Sequence, residues 1–203
     1  MQSALCWYAI YMEMLDGKTV ILFESATAWR DWLDHNYGLE AGIWLKIAKK
    51  GSGVASVTRA EALDVALCYG WIDGQARSLN EVYFLQKYTP RRAKSLWSKV
   101  NIDKVAVLIE AGLMQAPGYT AIAAAQADGR WDVAYEPQRT ATVPADFAAA
   151  LAQNIKAQTF FDSLNKAARY AFLWRLMTAK TAKTRAAWIP KMIAMLESGT
   201  HFH

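Results

Sequence analysis

Apolar runs of strand length dominate the first part of the chain. The β-branched and apolar residues at 19–23 and 43–45 each predict a short buried strand. Two longer runs, at 71–78 and 82–88, flank the turn-forming residues 79–81. We therefore predict that these two runs form an antiparallel pair of strands joined by a tight turn.

Helix signals lie between these strands. Ser25 is a predicted N-cap, and the Thr-x-x-Glu pattern at 58–61 is a capping box that begins a second helix. Gly70 is placed to end that helix, because glycine accepts the left-handed conformation of the residue after a helix. An alanine-rich helix is predicted from Pro117 to about Asp128.

The segment after the second long run carries a further pair of helix signals. Pro90 stands where a first helical residue is favoured, and Thr89 precedes it as a possible N-cap. We predict a short helix that begins at Pro90 or the residue after it. Asn101 is the predicted N-cap of the next helix, residues 102–111.

The last part of the chain has a different character. Residues 144–199 contain no glycine before Gly199, and their apolar positions recur at helical spacing. Breaks between helices are predicted near Asn154, at 178–184 and at Pro190. The sequence therefore predicts an α+β protein, in which a small mixed or antiparallel sheet with helices is followed by a helical C-terminal module.

These changes in pattern predict the domain organisation. Residues 1–14 are interpreted as an N-terminal extension and 15–129 as the α+β lobe. Residues 130–143 have mixed charge, threonine and proline without a sustained period, which is typical of a linker. Residues 144–199 then form the predicted helical module.

Composition narrows the class of protein. Hydrophobic residues make up 54% of the chain and charged residues 20%, which predicts a sizeable core and argues against disorder. The net charge of +5 permits an anionic partner without requiring one. No run approaches the roughly 20 apolar residues of a membrane helix. Two cysteines do not predict a disulfide framework, so we expect a cytoplasmic protein.

The predicted helix after Thr89 is crowded with cations. A helix N-terminus carries about half a positive charge, so Arg91, Arg92 and Lys94 in its first turn call for a compensating negative group. A bound phosphate or carboxylate, held by two hydrogen bonds from one arginine, is one interpretation. The alternative is internal pairing of an arginine with Asp73 or Glu81.

We predict that the ligand-binding residues are the aromatic, hydroxyl, amide and charged side chains of this stretch. They are Trp71, Asp73, Thr89, Arg91, Arg92, Lys94, Ser95, Trp97, Ser98 and Asn101. No histidine lies near the serines, so no catalytic residue is predicted. No cofactor is predicted, and no metal site either, because His201 and His203 lack further ligands of suitable spacing.

Several short motifs resemble the YdeI/OmpD-associated family of bacterial proteins, often labelled bacteriocin-protection proteins, over roughly residues 22–199. The motifs are Trp44–Leu45 with Lys49–Lys50, Tyr69–Gly74, Thr89–Arg92, the spaced Ser95, Trp97, Ser98 and Asn101, Gly112 with Met114, Gly129–Trp131, Ala179–Lys180 and Thr184–Arg185. The resemblance implies a role in tolerance of cationic antimicrobial peptides or bacteriocins, and association with an outer-membrane porin. It implies no catalytic residues.

The expected function is therefore a non-catalytic stress or peptide-resistance factor that binds an anionic small molecule or a protein partner. One alternative is an uncharacterised enzyme that acts on an anionic small molecule. A nucleic-acid-binding module is a weaker alternative. Residues 87–104 hold six cations and one acid with interleaved aromatics, but the whole-chain charge is only +5.

Overall fold

The computed structural model describes residues 13–202, which form five strands and eight helices. The strands are β1 (Glu13–Leu15), β2 (Lys18–Leu22), β3 (Ile43–Ala48), β4 (Trp71–Ser78) and β5 (Tyr83–Pro90). The helices are α1 (Ala26–Asn36), α2 (Arg59–Cys68), α3 (Lys99–Glu110), α4 (Ala116–Ala127), α5 (Ala145–Ala152), α6 (Ile155–Ser163), α7 (Lys166–Met177) and α8 (Ala182–Glu197). All but the last two residues of the predicted N-terminal extension lie outside the described residues.

The strands form one mixed sheet in the order β1-β2-β3-β5-β4. Only β2 and β3 are parallel, and the other neighbours are antiparallel. The predicted α+β class, with helices following the sheet, is confirmed. The predicted pairing of β4 with β5 is confirmed as well, and the Asn80 side chain accepts hydrogen bonds from the amides of Val82 and Tyr83 in the turn, both at 2.9 Å.

The short helix predicted from Pro90 is wrong. Strand β5 continues through Thr89 and Pro90, which oppose Ile72 and Trp71 of β4. A Thr-Pro pair suits the start of a helix and equally the end of a strand. At the end of a strand the proline, which has no N–H, does not interrupt the ladder of hydrogen bonds. The amide of Arg91 then donates to the Gly70 carbonyl at 2.9 Å, so sheet pairing overrides the local helix signal.

The predicted N-cap of the next helix is also wrong, by one turn. Helix α3 begins at Lys99, and Asn101 lies inside its first turn. The cap is Ser98, whose side-chain oxygen accepts from the Asn101 amide at 3.2 Å and whose carbonyl accepts from the Ile102 amide at 3.1 Å. Serine and asparagine are similarly good caps, so sequence alone does not choose between them.

The predicted break at Pro190 does not occur, because α8 runs through it. A proline removes one intrahelical hydrogen bond, here the one to the carbonyl of Ala186. Ala186 and Pro190 are both exposed, so water can satisfy that carbonyl. Met192 and Leu196 are buried and hold the second half of α8 in the core of its unit.

The described residues divide into two compact units by their internal contacts. The first comprises residues 13–95 and 103–129, and the second comprises 96–102 and 130–202. The predicted domain limits stay a prediction, as does the assignment of residues 130–143 as a linker.

Trp29 is the centre of the aromatic core of the first unit. Its ring lies 5.4 Å from that of Trp32, 6.0 Å from that of Trp71 and 5.9 Å from that of Tyr88. The indole N–H of Trp29 donates to the Ala62 carbonyl at 3.1 Å. One side chain of α1 therefore contacts α2, β4 and β5 together, and offset or edge-on aromatic pairs of this kind add to the stabilisation from burial.

Three phenylalanines form the centre of the second unit. Phe147, Phe161 and Phe172 come from α5, α6 and α7, and their ring centroids lie 5.6–6.4 Å apart. All three are buried. The helices that carry them are separated by side-chain N-caps from Asn154 and Asn165, whose oxygens accept amide hydrogens at 3.0 and 2.9 Å.

A glycine lets α4 approach the end of α2. The Cys68 carbonyl accepts from the Gln115 amide at 3.1 Å, directly before α4. A Cβ atom on Gly118 would lie against that same carbonyl and 2.6 Å from Cε of Met114. Gly70 has φ +71°, the left-handed conformation expected after α2, so its predicted role is confirmed.

We expect Gly118→Ala to destabilise the protein. Crowding at this contact costs about 1–3 kcal/mol, which exceeds the roughly 1 kcal/mol that alanine gains over glycine inside a helix. Gly38→Ala is the matched control, because nothing lies within 4 Å of a Cβ atom there and φ is not positive. Urea unfolding followed by tryptophan fluorescence measures both. A Gly118→Ala protein as stable as wild type would contradict the close approach.

The two tyrosines of the core differ in how their hydroxyls are satisfied. The Tyr69 hydroxyl donates to the Asp34 carboxylate. The Tyr88 side chain is fully buried, and its hydroxyl has no hydrogen-bond partner in the described part of the chain. Burial, followed by the charge of Asp73 on the neighbouring strand, raises the pKa of Tyr88, so its phenol stays neutral.

We expect Tyr88→Phe to be as stable as wild type or more stable, because it removes a buried hydroxyl whose desolvation costs about 1–3 kcal/mol. Tyr69→Phe should instead lose about 1.5–3 kcal/mol, since it breaks a hydrogen bond to a charged acceptor. Denaturant titrations of both variants compare the two environments. A clear loss of stability in Tyr88→Phe would show that its hydroxyl has a partner, such as an ordered water.

Candidate functional site

The predicted ligand-binding residues of β4 serve mainly the structure of the first unit. Trp71 is fully buried, and its indole N–H donates to the Tyr37 carbonyl at 2.7 Å. Asp73 forms an ion pair with Arg59 of α2 at 3.6 Å. This pair differs from the expected alternative, in which Asp73 would meet Arg91 or Arg92.

The predicted cation cluster lies on a turn instead of a helix N-terminus. The Arg92 amide donates to the Ser95 hydroxyl and the Ser95 amide donates to the Arg92 carbonyl, both at 2.9 Å. Arg92 and Lys94 are exposed, whereas Arg91 and Thr89 are half-buried. The helix dipole invoked to attract an anion is therefore absent here, and ligand binding by these residues stays a prediction.

Three further predicted residues belong to the second unit and have structural roles there. Trp97 is buried, with its ring 4.9 Å from that of Trp131. Ser98 caps α3, and Asn101 is buried in the first turn of that helix. Residues flanking Ser98 exchange backbone hydrogen bonds with Tyr135: its amide donates to Trp97 and its carbonyl accepts from Lys99, both at 3.0 Å.

A basic pocket lies within the second unit. Its cavity has a volume of about 190 Å³. Three cations line it, Arg139 from the segment before α5 and both Lys166 and Arg169 from α7. Among the described residues none of the lining side chains is acidic, so the lining carries a net positive charge, which favours an anion.

Arg169 is held in place at the edge of this pocket. Its Nε donates to the Leu164 carbonyl at 2.9 Å, and its Nη2 donates to the Asp162 carbonyl. Both carbonyls belong to the C-terminal end of α6, where a cation also offsets the negative end of the helix dipole. The guanidinium is therefore fixed before any ligand binds, which lowers the entropic cost of binding.

Lys166 and Arg139 are exposed, and neither forms an ion pair with a described residue. No carboxylate in the described residues lies within 4.0 Å of either side chain. Other cations of the unit are paired, such as Arg185 with Asp146. Lys166 is also the first residue of α7, next to the amides that carry the positive end of the helix dipole. Two cations thus remain available to an external anion.

Tyr170 connects the two walls of the basic pocket. Its hydroxyl donates to the Glu136 carbonyl at 2.9 Å, which ties α7 to the segment that carries Arg139. Burial, with smaller contributions from Tyr135 and Glu136, raises the pKa of Tyr170 to about 12. The phenol therefore stays neutral and keeps its structural hydrogen bond at physiological pH.

The site predicted from the sequence does not include the residues of the basic pocket. The cations of this pocket are brought together only by the packing of the helices. Arg139 and Lys166 are separated by the whole of α5 and α6. One signal was present. Asn165 begins α7 as an N-cap, with Lys166 and Arg169 following and no acid in the first turn. The same reasoning that was applied after Thr89 would have singled out this helix.

Comparisons with known proteins assign the two parts of the chain to different family models. Residues 140–199 match the model described as Bacteriocin-protection, YdeI or OmpD-Associated. Residues 21–121 match one described as a Domain of unknown function (DUF8412). No curated protein and no solved structure gives a significant match.

The match over residues 140–199 agrees with the resemblance seen in the sequence for Ala179–Lys180 and Thr184–Arg185, whereas the other motifs quoted there lie before residue 140 and outside this match. Lys166 and Arg169 of the basic pocket lie inside the matched segment, and Arg139 directly precedes it. Within residues 13–202, none of the helices is both long and apolar enough to span a membrane. The segment of residues 140–199 carries the signature of the Bacteriocin-protection, YdeI or OmpD-Associated family.

Proposed function

We propose that this chain is a non-catalytic bacterial resistance factor of the bacteriocin-protection type, and that its basic pocket binds an anionic ligand, either a small molecule or an anionic group of a protein partner. The observation that carries the proposal is a cavity lined by three cations and no acid, beside and within the matched segment. A cytoplasmic location stays part of the proposal.

The lining residues favour recognition over catalysis. The polar groups around the cavity are guanidinium, ammonium, amide and phenol, and none of the described lining residues carries a carboxylate, imidazole or thiol. The Tyr170 phenol is engaged in its hydrogen bond to the Glu136 carbonyl. The volume of about 190 Å³ is smaller than the roughly 300–1,000 Å³ of pockets that take drug-sized ligands. A small carboxylate or phosphate therefore suits the cavity better than a nucleotide.

We expect phosphate or acetate to raise the melting temperature of the wild-type protein at constant ionic strength. A ligand at 100 times its dissociation constant adds about 2.7 kcal/mol of stability. The double variant Arg139→Gln/Lys166→Gln removes both unpaired cations and should lose this shift. The matched control, Lys156→Gln/Lys180→Gln, removes two exposed charges of the same unit that do not line the cavity.

The outcome for a third variant separates this site from the one predicted from the sequence. Arg91→Gln/Arg92→Gln changes the turn after β5 and leaves the basic pocket intact. If that variant loses the anion-dependent shift while Arg139→Gln/Lys166→Gln keeps it, the anion binds at the turn and the basic pocket is ruled out. Equal shifts in all four proteins would show only a nonspecific salt effect.

A survival assay tests the biological half of the proposal. Bacteria that lack their own copy and express the wild-type chain should survive a cationic bacteriocin or antimicrobial peptide better than cells with an empty vector. Expression of Arg139→Gln/Lys166→Gln at the same level should give less protection than the Lys156→Gln/Lys180→Gln control. Equal protection by both variants would show that resistance does not depend on the basic pocket.

A further inference from the structure

The basic pocket has an apolar part beside its cationic part. Phe161 and Leu173, which are 3% and 5% exposed, belong to the core of the second unit and also line the cavity. Val143, 39% exposed, and Ala141 line it from the segment before α5. Val143 and Ala141 carry the exposed apolar surface of this lining, because Phe161 and Leu173 are already almost fully buried. A bare inorganic ion would leave that surface in contact with water, which forgoes about 25 cal/mol for each Å² that a ligand could cover.

We infer that the natural ligand of the basic pocket is a small amphiphilic anion, with a carboxylate or phosphate joined directly to a short aliphatic or aromatic group. This inference rests on the proposed function, since it specifies the anion that the pocket binds. The cations would hold the acidic group, and Ala141 and Val143 would cover the apolar group.

The distance between the cationic and apolar lining residues determines how far apart the acidic and apolar groups of the ligand can be. The guanidinium carbon of Arg169 lies 5.8 Å from the centroid of the Phe161 ring. A ligand that contacts both therefore has its acidic group within a few bonds of its apolar carbons. The cavity of about 190 Å³ also limits the apolar group to a short one, which excludes the long acyl chains of membrane lipids.

The charge of the lining disfavours zwitterions. A free amino acid would bring its ammonium group close to Arg139, Lys166 and Arg169, where no acidic lining residue can pair with it. Like charges at this distance repel, and the ammonium would also lose part of its hydration. The ligand class is accordingly an organic acid or phosphate ester without an amino group next to its acidic group.

A series of carboxylates tests the apolar part of the pocket. Isothermal titration calorimetry at constant ionic strength would compare acetate, butyrate and hexanoate on the wild-type protein. Full burial of one methylene group is worth about 0.8 kcal/mol, so we expect affinity to rise by up to about fourfold per carbon until the cavity is full. Leucine and 4-methylpentanoate form a second pair, which differs by the amino group, and we expect leucine to bind at least tenfold more weakly.

Variants connect these trends to particular side chains. Val143→Thr keeps the shape of the valine and replaces one methyl group with a hydroxyl, so it should reduce the gain in affinity per carbon. The control is Val133→Thr, at a valine that is 68% exposed and does not line the cavity. Lys166→Gln should weaken every carboxylate by a similar factor and leave the gain per carbon unchanged.

The outcomes separate this inference from the proposed function. Equal affinity for acetate and hexanoate, or for leucine and 4-methylpentanoate, would overturn the amphiphilic ligand while anion binding stands. No binding of any anion, phosphate included, would overturn both. Sedimentation with vesicles of anionic phospholipid is the last arm. Co-sedimentation that is lost in Lys166→Gln would overturn the assignment to a small soluble ligand.

Discussion

The extension of the β4–β5 ladder to the pair of Trp71 with Pro90 is the constraint on which the first unit depends. It requires β4 to start directly after Gly70, whose left-handed backbone turns the chain out of α2. It also places Trp71 and Tyr88 against Trp29, so that the sheet and its helices share one aromatic core. The same ladder converts what would have been a helix into an exposed basic turn.

The sequence predicts the features that depend on neighbouring residues, and it does not predict those that depend on residues far apart in the chain. The capping box at Thr58, the stop at Gly70 and the strand pair around Asn80 are specified by neighbouring residues, and the structure contains all of them. Pro90 was misread because its local signal fits two structures, and only pairing with a distant strand decides between them. Ligand binding by the predicted residues between Trp71 and Asn101 stays a prediction.

The basic pocket could not be predicted from any one stretch, since it exists only after α5, α6 and α7 have packed. In the second unit, folding and recognition use the same groups for two purposes. Arg169 satisfies the carbonyls at the end of α6 and also contributes positive charge to the cavity. Phe161 and Leu173 fill the core and also form the apolar lining. Arg169, Phe161 and Leu173 are therefore in place before a ligand arrives.

The bulge between Asp73 and Ala76 has a consequence for self-association. Strand β4 is the last strand of the sheet, and its residues from Gly74 to Ser78 are exposed. A long regular edge of this kind would offer unpaired amides and carbonyls to another chain and start intermolecular sheet growth. The bulge interrupts that edge, and the charge of Arg77 beyond it must be desolvated before a second strand can add. Both features oppose the addition of a second chain at the β4 edge of the sheet.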